Sequence, residues 1–154
     1  MGRYKEAEVE LRQRIAALPT NDDLRFNLAQ SYLMQGKDRE SMEELVEALR
    51  LEGDERRAME VRDAFNKEGN QGVQEWRLAR LKEIALKRYV SPLEFAFAYA
   101  RLGQADETFR WLEKAYDDHA PWLVQIHQHS ELDPFRGDPR YTALIKRIGL
   151  PQSH

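Results

Sequence analysis

The chain has 154 residues, 42% hydrophobic and 33% charged, and its 24 basic and 27 acidic side chains leave a formal charge of −3. This length accommodates one domain with a sizeable core, and the charge balance disfavours nucleic acid, whose binding calls for a basic excess. Cysteine is absent, which excludes disulfides and thiolate zinc sites. No apolar run approaches the roughly 18 residues of a membrane span and MGRYKEAEVE holds no signal-peptide core, so the expectation is a cytoplasmic protein without membrane insertion.

The first predicted helix covers residues 4–18, where Pro19 stops it. Asn21 or Asp22 is placed to cap a helix over 23–35, and 39–51 forms its partner. Gly53 and Asp54 turn the chain and cap a helix that ends near Lys67. Gly69 and Gly72 suggest a loose turn ahead of a long helix over 73–87. Ser91-Pro92-Leu93-Glu94 is a start signal: Ser91 at the cap, Pro92 at the first helical position, Glu94 closing a capping box. The helix that follows ends at Gly103, and 105–117 is its partner. Pro121 opens a further predicted helix to about residue 127. Asp133-Pro134 and Asp138-Pro139 both read as cap followed by first turn. Tyr141, Leu144, Ile145 and Ile148 give 139–148 one apolar face, ended by Gly149 and Pro151.

These helices repeat. Gly2, Gly36, Gly69 and Gly103 are spaced by 34, 33 and 34 residues. Nine residues after each comes a leucine: Leu11, Leu45, Leu78, Leu112. Four before the last three comes an aromatic (Tyr32, Phe65, Tyr99), and eight before an apolar residue (Leu28, Val61, Phe95). Five after come Ala7, Ser41, Gln74 and Thr108. A helical hairpin with this pattern cannot bury its apolar faces alone and stacks on its neighbours.

The pattern Leu28-Ala29-x-x-Tyr32-x-x-x-Gly36…Ser41-x-x-x-Leu45-x-x-Ala48, repeated as Phe95-Ala96-x-x-Tyr99-x-x-x-Gly103…Thr108-x-x-x-Leu112-x-x-Ala115, resembles the tetratricopeptide repeat. The resemblance implies an all-α, right-handed α-solenoid of antiparallel helix pairs. The domain would span 1–154, with a half repeat at 2–19, repeats at 22–53, 55–87 (divergent) and 89–120, and a capping segment at 121–151. The chain departs from the family at Arg25, Ala58 and Pro92, where tryptophan is expected, and at Ser41, Gln74 and Thr108, where alanine is expected. The first repeat lacks its helix A, which leaves three readings: a piece of a longer protein, self-association through the uncapped half repeat, or a short N-terminal helix tolerated as it stands. The C-terminal motifs Tyr89-Val90-Ser91-Pro92, Pro121-Trp122-Leu123, Asp133-Pro134-x-Arg136-x-Asp138-Pro139-Arg140-Tyr141 and Gly149-Leu150-Pro151 resemble the tail of tetratricopeptide regions in bacterial multidomain regulators.

Chemistry is sparse. His127, His129 and Glu131 form the one metal-like cluster, but helical i and i+2 residues diverge by about 200°, and the other histidines are His119 and His154. Surface histidines in a connector are the better reading. There is no strained serine elbow and no phosphate-binding glycine loop, so neither an enzyme nor a cofactor is expected. Trp76 and Trp111 are assigned to the core, and Trp122 to sealing the last repeat.

The resemblance implies instead a concave groove lined by the first helix of each hairpin, holding a protein or peptide partner. Position matching assigns it Phe26, Asn27, Gln30 and Met34, with Asp23 and Leu33 beside them; then Met59, Asp63, Asn66 and Lys67; then Glu94, Phe97 and Arg101, beside Leu93. Leu33 and Leu93 are expected to pack inward. Phe26 and Gln30 stand where a carboxylate clamp of the chaperone-binding kind needs lysine and asparagine, so capture of a partner's C-terminal carboxylate is not expected.

Overall fold

Four side chains start four of the helices by accepting backbone N–H groups that a helix leaves unpaired. Asn21 takes that of Leu24 at 3.0 Å, Asp54 that of Arg57 at 3.0 Å, Ser91 that of Leu93 at 3.3 Å, and Asp138 that of Arg140 at 2.9 Å. Pro92 and Pro139 follow in the first turns, where a missing N–H costs nothing. The computed structural model describes residues 2–150. Its α-helices are α1 (Gly2–Ala17), α2 (Asp22–Met34), α3 (Asp38–Leu51), α4 (Glu55–Ala85), α5 (Pro92–Arg101), α6 (Ala105–Asp117) and α7 (Pro139–Ile148). Two 3-10 helices, Leu123–Gln128 and Ser130–Phe135, stand between α6 and α7. No strand occurs among the described residues, and the fold is all-α, built of tetratricopeptide-like hairpins. Pro151, assigned to the last helix stop, and His154 lie outside the described residues.

The expected turns fall on the glycines. Gly36 and Gly103 have φ of +71° and +70°, and this left-handed conformation ends a helix at little cost only without a Cβ. The third hairpin differs from expectation. Helix α4 leaves helical geometry only at Glu68 and Gly69 and resumes at once, so the turn is tight. Gly72 is not part of it. It lies inside the second arm of α4, where an added Cβ would sit 2.4 Å from the carbonyl oxygen of Ala64 in the first arm. The two arms approach so closely that only glycine fits.

Contacts divide the chain into two compact units, one ending at Trp76 and one beginning at Arg77. In the first, Ala29, Met42, Leu45, Val46, Leu49, Ala58, Val61 and Val73 form one core, and Ile15, Leu24, Leu28 and Tyr32 a second under α1. In the second, Leu93, Ala96, Phe109, Leu112 and Ala115 pack with Leu123, Ile126, Leu132, Phe135, Tyr141, Leu144 and Ile145. Each buried leucine or isoleucine contributes about 2 kcal/mol, so the segment after α6 is an integral part of this core.

Two expectations for that segment need correction. Pro121 does not open a helix: Trp122 has φ +70°, which no α-helix passes through, and 3-10 turns follow. Asp133-Pro134 ends a 3-10 helix rather than starting a helix. Asp133 there accepts from Nε of Arg136 at 2.6 Å instead of capping. Asp138-Pro139 starts α7 as expected.

Candidate interaction site

The repeat departures at Ser41, Gln74 and Thr108 show how this sequence fits its hairpins. All three side chains are buried, and a buried polar group costs stability unless it is hydrogen-bonded. Each has a different partner. Ser41 donates to the Ala29 carbonyl at 2.7 Å, which ties α3 to α2. Gln74 donates to Oδ1 of Asn70 at 2.9 Å. Thr108 donates to the Gln104 carbonyl at 2.8 Å. The register of the divergent hairpin is therefore the register of the others.

Within the first unit, the residues assigned to a partner surface split by exposure. On α2, Asn27 is exposed and Gln30 and Met34 are partly so, while Phe26 packs against the core. On α4, Met59 is 58% exposed, and Asp63, Asn66 and Lys67 are exposed. The spacing 59, 63, 66 runs along one helical face. Asp23 is exposed and Leu33 partly buried.

Helix α1 docks on α2 through polar contacts. Ser31 donates to the Tyr4 carbonyl at 2.9 Å, and Gln35 and Lys37 donate to Oε2 of Glu8 at 3.1 and 2.8 Å. The Lys37 hydrogen bond holds the Glu8 carboxyl below its usual range, against a smaller opposing effect of burial. A cleft of about 330 Å³ opens beside Arg12, Arg25, Tyr32, Glu40 and Glu44. Its arginines are engaged: Arg12 donates to the Tyr32 hydroxyl, and Arg25 to Oε2 of Glu44 at 2.8 Å.

In the second unit, Glu94 is exposed and Leu93 is buried, as expected for Leu93. Phe97 and Arg101 are already in contact with the segment after α6. The Phe97 ring stacks on His129 with centroids 4.3 Å apart and planes 25° apart. Arg101 donates from Nη2 to Oε1 of Glu131 at 2.9 Å. His129 Nδ1 lies 3.9 Å from Oε2 of the same carboxylate. His127 points elsewhere; it is exposed and its carbonyl accepts from Arg136 Nη2 at 2.6 Å. Among the described residues, no group of three His, Cys, Asp or Glu side chains could hold a metal ion.

The tryptophans divide likewise. Trp76 is partly buried and donates to Oε2 of Glu60 at 3.0 Å, and Trp111 stacks on Phe95 at 4.3 Å. Trp122, expected to seal the last repeat, is 68% exposed. The left-handed backbone that precludes a helix there turns its ring outward; Leu123 and Ile126 fill the core beside it.

Sequence spacing missed His129 and Glu131 as partners of the α5 side chains. No periodic signal joins them, since Arg101 and Glu131 are brought together by tertiary folding alone.

Residues 4–67 match a family model described as tetratricopeptide repeat. No curated protein and no solved structure matches the chain. No helix among the described residues is long and apolar enough to cross a membrane.

Proposed function

We propose that this chain, whose residues 4–67 match a tetratricopeptide repeat model, is a scaffold of that family that binds a peptide or helical segment of a protein partner. Such repeats mediate protein–protein interactions, and the binding face is the one formed by the first helix of each hairpin. The observation that carries the reading is the α4 face. Met59, 58% exposed, lies in line with exposed Asp63 and Asn66. An exposed methionine offers adaptable apolar contact area, and asparagine and aspartate can pair with a peptide backbone. On α2, Asn27, Gln30 and Met34 repeat that mixture. Phe26 and Lys67 extend the surface within the first unit; in the second unit, taken by itself, Glu94 is exposed and Phe97 and Arg101 lie beside the segment bearing His129 and Glu131. The partner is a protein, with no nucleic acid, metal or cofactor taking part, and the role is not enzymatic.

Partner capture with the wild type and with Met59→Asp and Asn66→Ala tests this. Both sites are exposed, so folding should be unchanged within about 0.5 kcal/mol. Loss of specific partners by the variants supports the reading. Capture of the same partners with equal strength by all three proteins overturns it.

A second reading is that the chain is a regulatory segment of a larger multidomain regulator. It is favoured by the C-terminal motifs, several of whose residues, Leu123 and Tyr141 among them, form the core of the second unit. Self-association through α1 is the alternative to that reading, and exposed Val9 on α1 is the residue it would use.

A further inference from the structure

Basic residues stand side by side at three places in the chain: Arg56-Arg57, Lys87-Arg88 and Lys146-Arg147. The first pair lies in the opening turn of α4, with Arg56 held by Glu60 at 2.7 Å and Arg57 by Asp54 at 3.0 Å. The third lies in the last turn of α7, where Arg147 is held by Glu113 at 2.7 Å and lies over the Tyr116 ring. Lys87-Arg88 differs on each count. It sits outside the helices, in residues 86–91 between α4 and α5. Both side chains are exposed, and neither has a partner among the described residues. Their neighbours are exposed as well, Leu86 at 87% and Tyr89 at 71%. The other basic residues outside helices, Lys37 and Arg136, are partly buried and ion-paired with Glu8 and Asp133.

An endoprotease binds its substrate extended, so a helix must unwind before it is cut and an exposed connection is cut first. The backbone bonds to open here are those from Leu86 N–H to the Glu83 carbonyl and from Lys87 and Arg88 N–H to the Ile84 carbonyl. They lie at the C-terminal end of α4, where a helix frays.

We propose that the Arg88–Tyr89 peptide bond is a processing site for an endoprotease that recognises paired basic residues, and that the chain stays assembled after the cut. Arg88 fills an acidic specificity pocket of the kind that selects arginine and lysine. Water is the co-reactant: the C–N bond breaks, the Arg88 carbonyl carbon gains OH and the Tyr89 nitrogen gains H. Assembly rests on a core that spans the cut. Leu78, Leu81 and Ile84 before it pack with Val90, Phe95 and Tyr99 after it, all inside the unit that begins at Arg77. Lys82 Nζ lies 5.7 Å from the Tyr99 ring centroid across the same junction. Breaking one exposed peptide bond leaves that apolar surface buried. The site goes beyond the interaction reading above, since no residue of the α2 and α4 partner face takes part in it.

The test is brief digestion of the native full chain with trypsin and, separately, with an endoprotease specific for paired basic residues, the cuts being read by intact mass. Both should cut first at Lys87-Arg88, the second protease giving fragments 1–88 and 89–154. The nicked protein should elute as one species in size exclusion at neutral pH and come apart in denaturant. The double variant Lys87→Gln with Arg88→Gln should slow the first cut at least about tenfold. Its melting temperature should match the wild type, because both side chains are exposed and unpaired. The proposal is overturned if either protease cuts elsewhere first, if the paired-basic protease leaves the chain whole, if the double variant is cut as fast as the wild type, or if the nicked fragments elute apart without denaturant.

Discussion

Arg101 and Glu131 meet at 2.9 Å across 30 residues of sequence, joining α5 to the second 3-10 helix. Both side chains are largely withdrawn from solvent, at 24% and 10% exposure. Glu131→Ala removes the pair and leaves the partly buried Arg101 guanidinium without this carboxylate. The expected cost is about 2–3 kcal/mol, toward the lower end for a broken buried pair because Arg101 keeps some solvent. Adding Arg77→Met to that variant should recover part of the loss, because it removes the Arg77 charge that repels Arg101. Urea denaturation of the two variants and the double variant measures the coupling. Additive effects would show that Arg77 does not sense this pair.

Gly72 and Gly36 are glycines for different reasons, and alanine separates them. At Gly72 an alanine gains about 1 kcal/mol of helix propensity, but its Cβ would meet the Ala64 carbonyl at 2.4 Å. The two arms of α4 must separate, so a net loss of about 2 kcal/mol is expected. At Gly36 nothing lies within 4 Å of the added Cβ, and only the left-handed backbone is strained, at about 1 kcal/mol. Thermal melts should rank Gly72→Ala well below Gly36→Ala.

The period of the glycines made the hairpins legible because turn, aromatic and leucine recur for one physical cause each. Thus Leu45, Leu78 and Leu112 are all buried, as are the odd polar residues Ser41, Gln74 and Thr108. Legibility ends where the period ends. After α6 the chain turns by 3-10 geometry, which has no amphipathic signature. Nothing at His129 or Glu131 announces that they will cover Phe97 and Arg101. Position matching gave those two residues to a partner because it compares each helix with a family pattern. It has no means of seeing a contact supplied by a non-repeating segment. Met59, Asp63 and Asn66 are exposed, and among the described residues no segment after α6 is recorded in contact with them.

Trp122 is expected to tolerate replacement. A residue sealing the core would cost about 3–5 kcal/mol on truncation. Trp122 is instead 68% exposed with φ +70°. Trp122→Gly relieves the left-handed strain while making the unfolded chain more flexible, two effects of about 1 kcal/mol each and opposite sign. The melting temperature should therefore change little. A fall of 10 °C or so would mean that the ring packs in solution.

Glu8 gives the docking of α1 a pH dependence of known sign. Its carboxyl is held below the usual range, first by the Lys37 hydrogen bond, with Gln35 and the Lys37 and Arg12 charges contributing. A carboxyl whose pKa is lower in the folded state binds more protons when unfolded. Its contribution is then present above the ordinary glutamate pKa of about 4.3 and is lost as pH falls through the folded value. The bonds lost are those to Lys37 and Gln35, so α1 should loosen from α2 in acid before the core of α2 and α3 opens. Hydrogen exchange of the α1 amides, corrected for intrinsic rates, should show protection falling between about pH 5 and pH 3. Glu8→Gln keeps the shape of the side chain and an acceptor but cannot titrate. Its α1 protection should be lower than wild type at neutral pH, and the two proteins should converge in acid. An unchanged pH profile in Glu8→Gln would assign the acid sensitivity of α1 to other carboxylates.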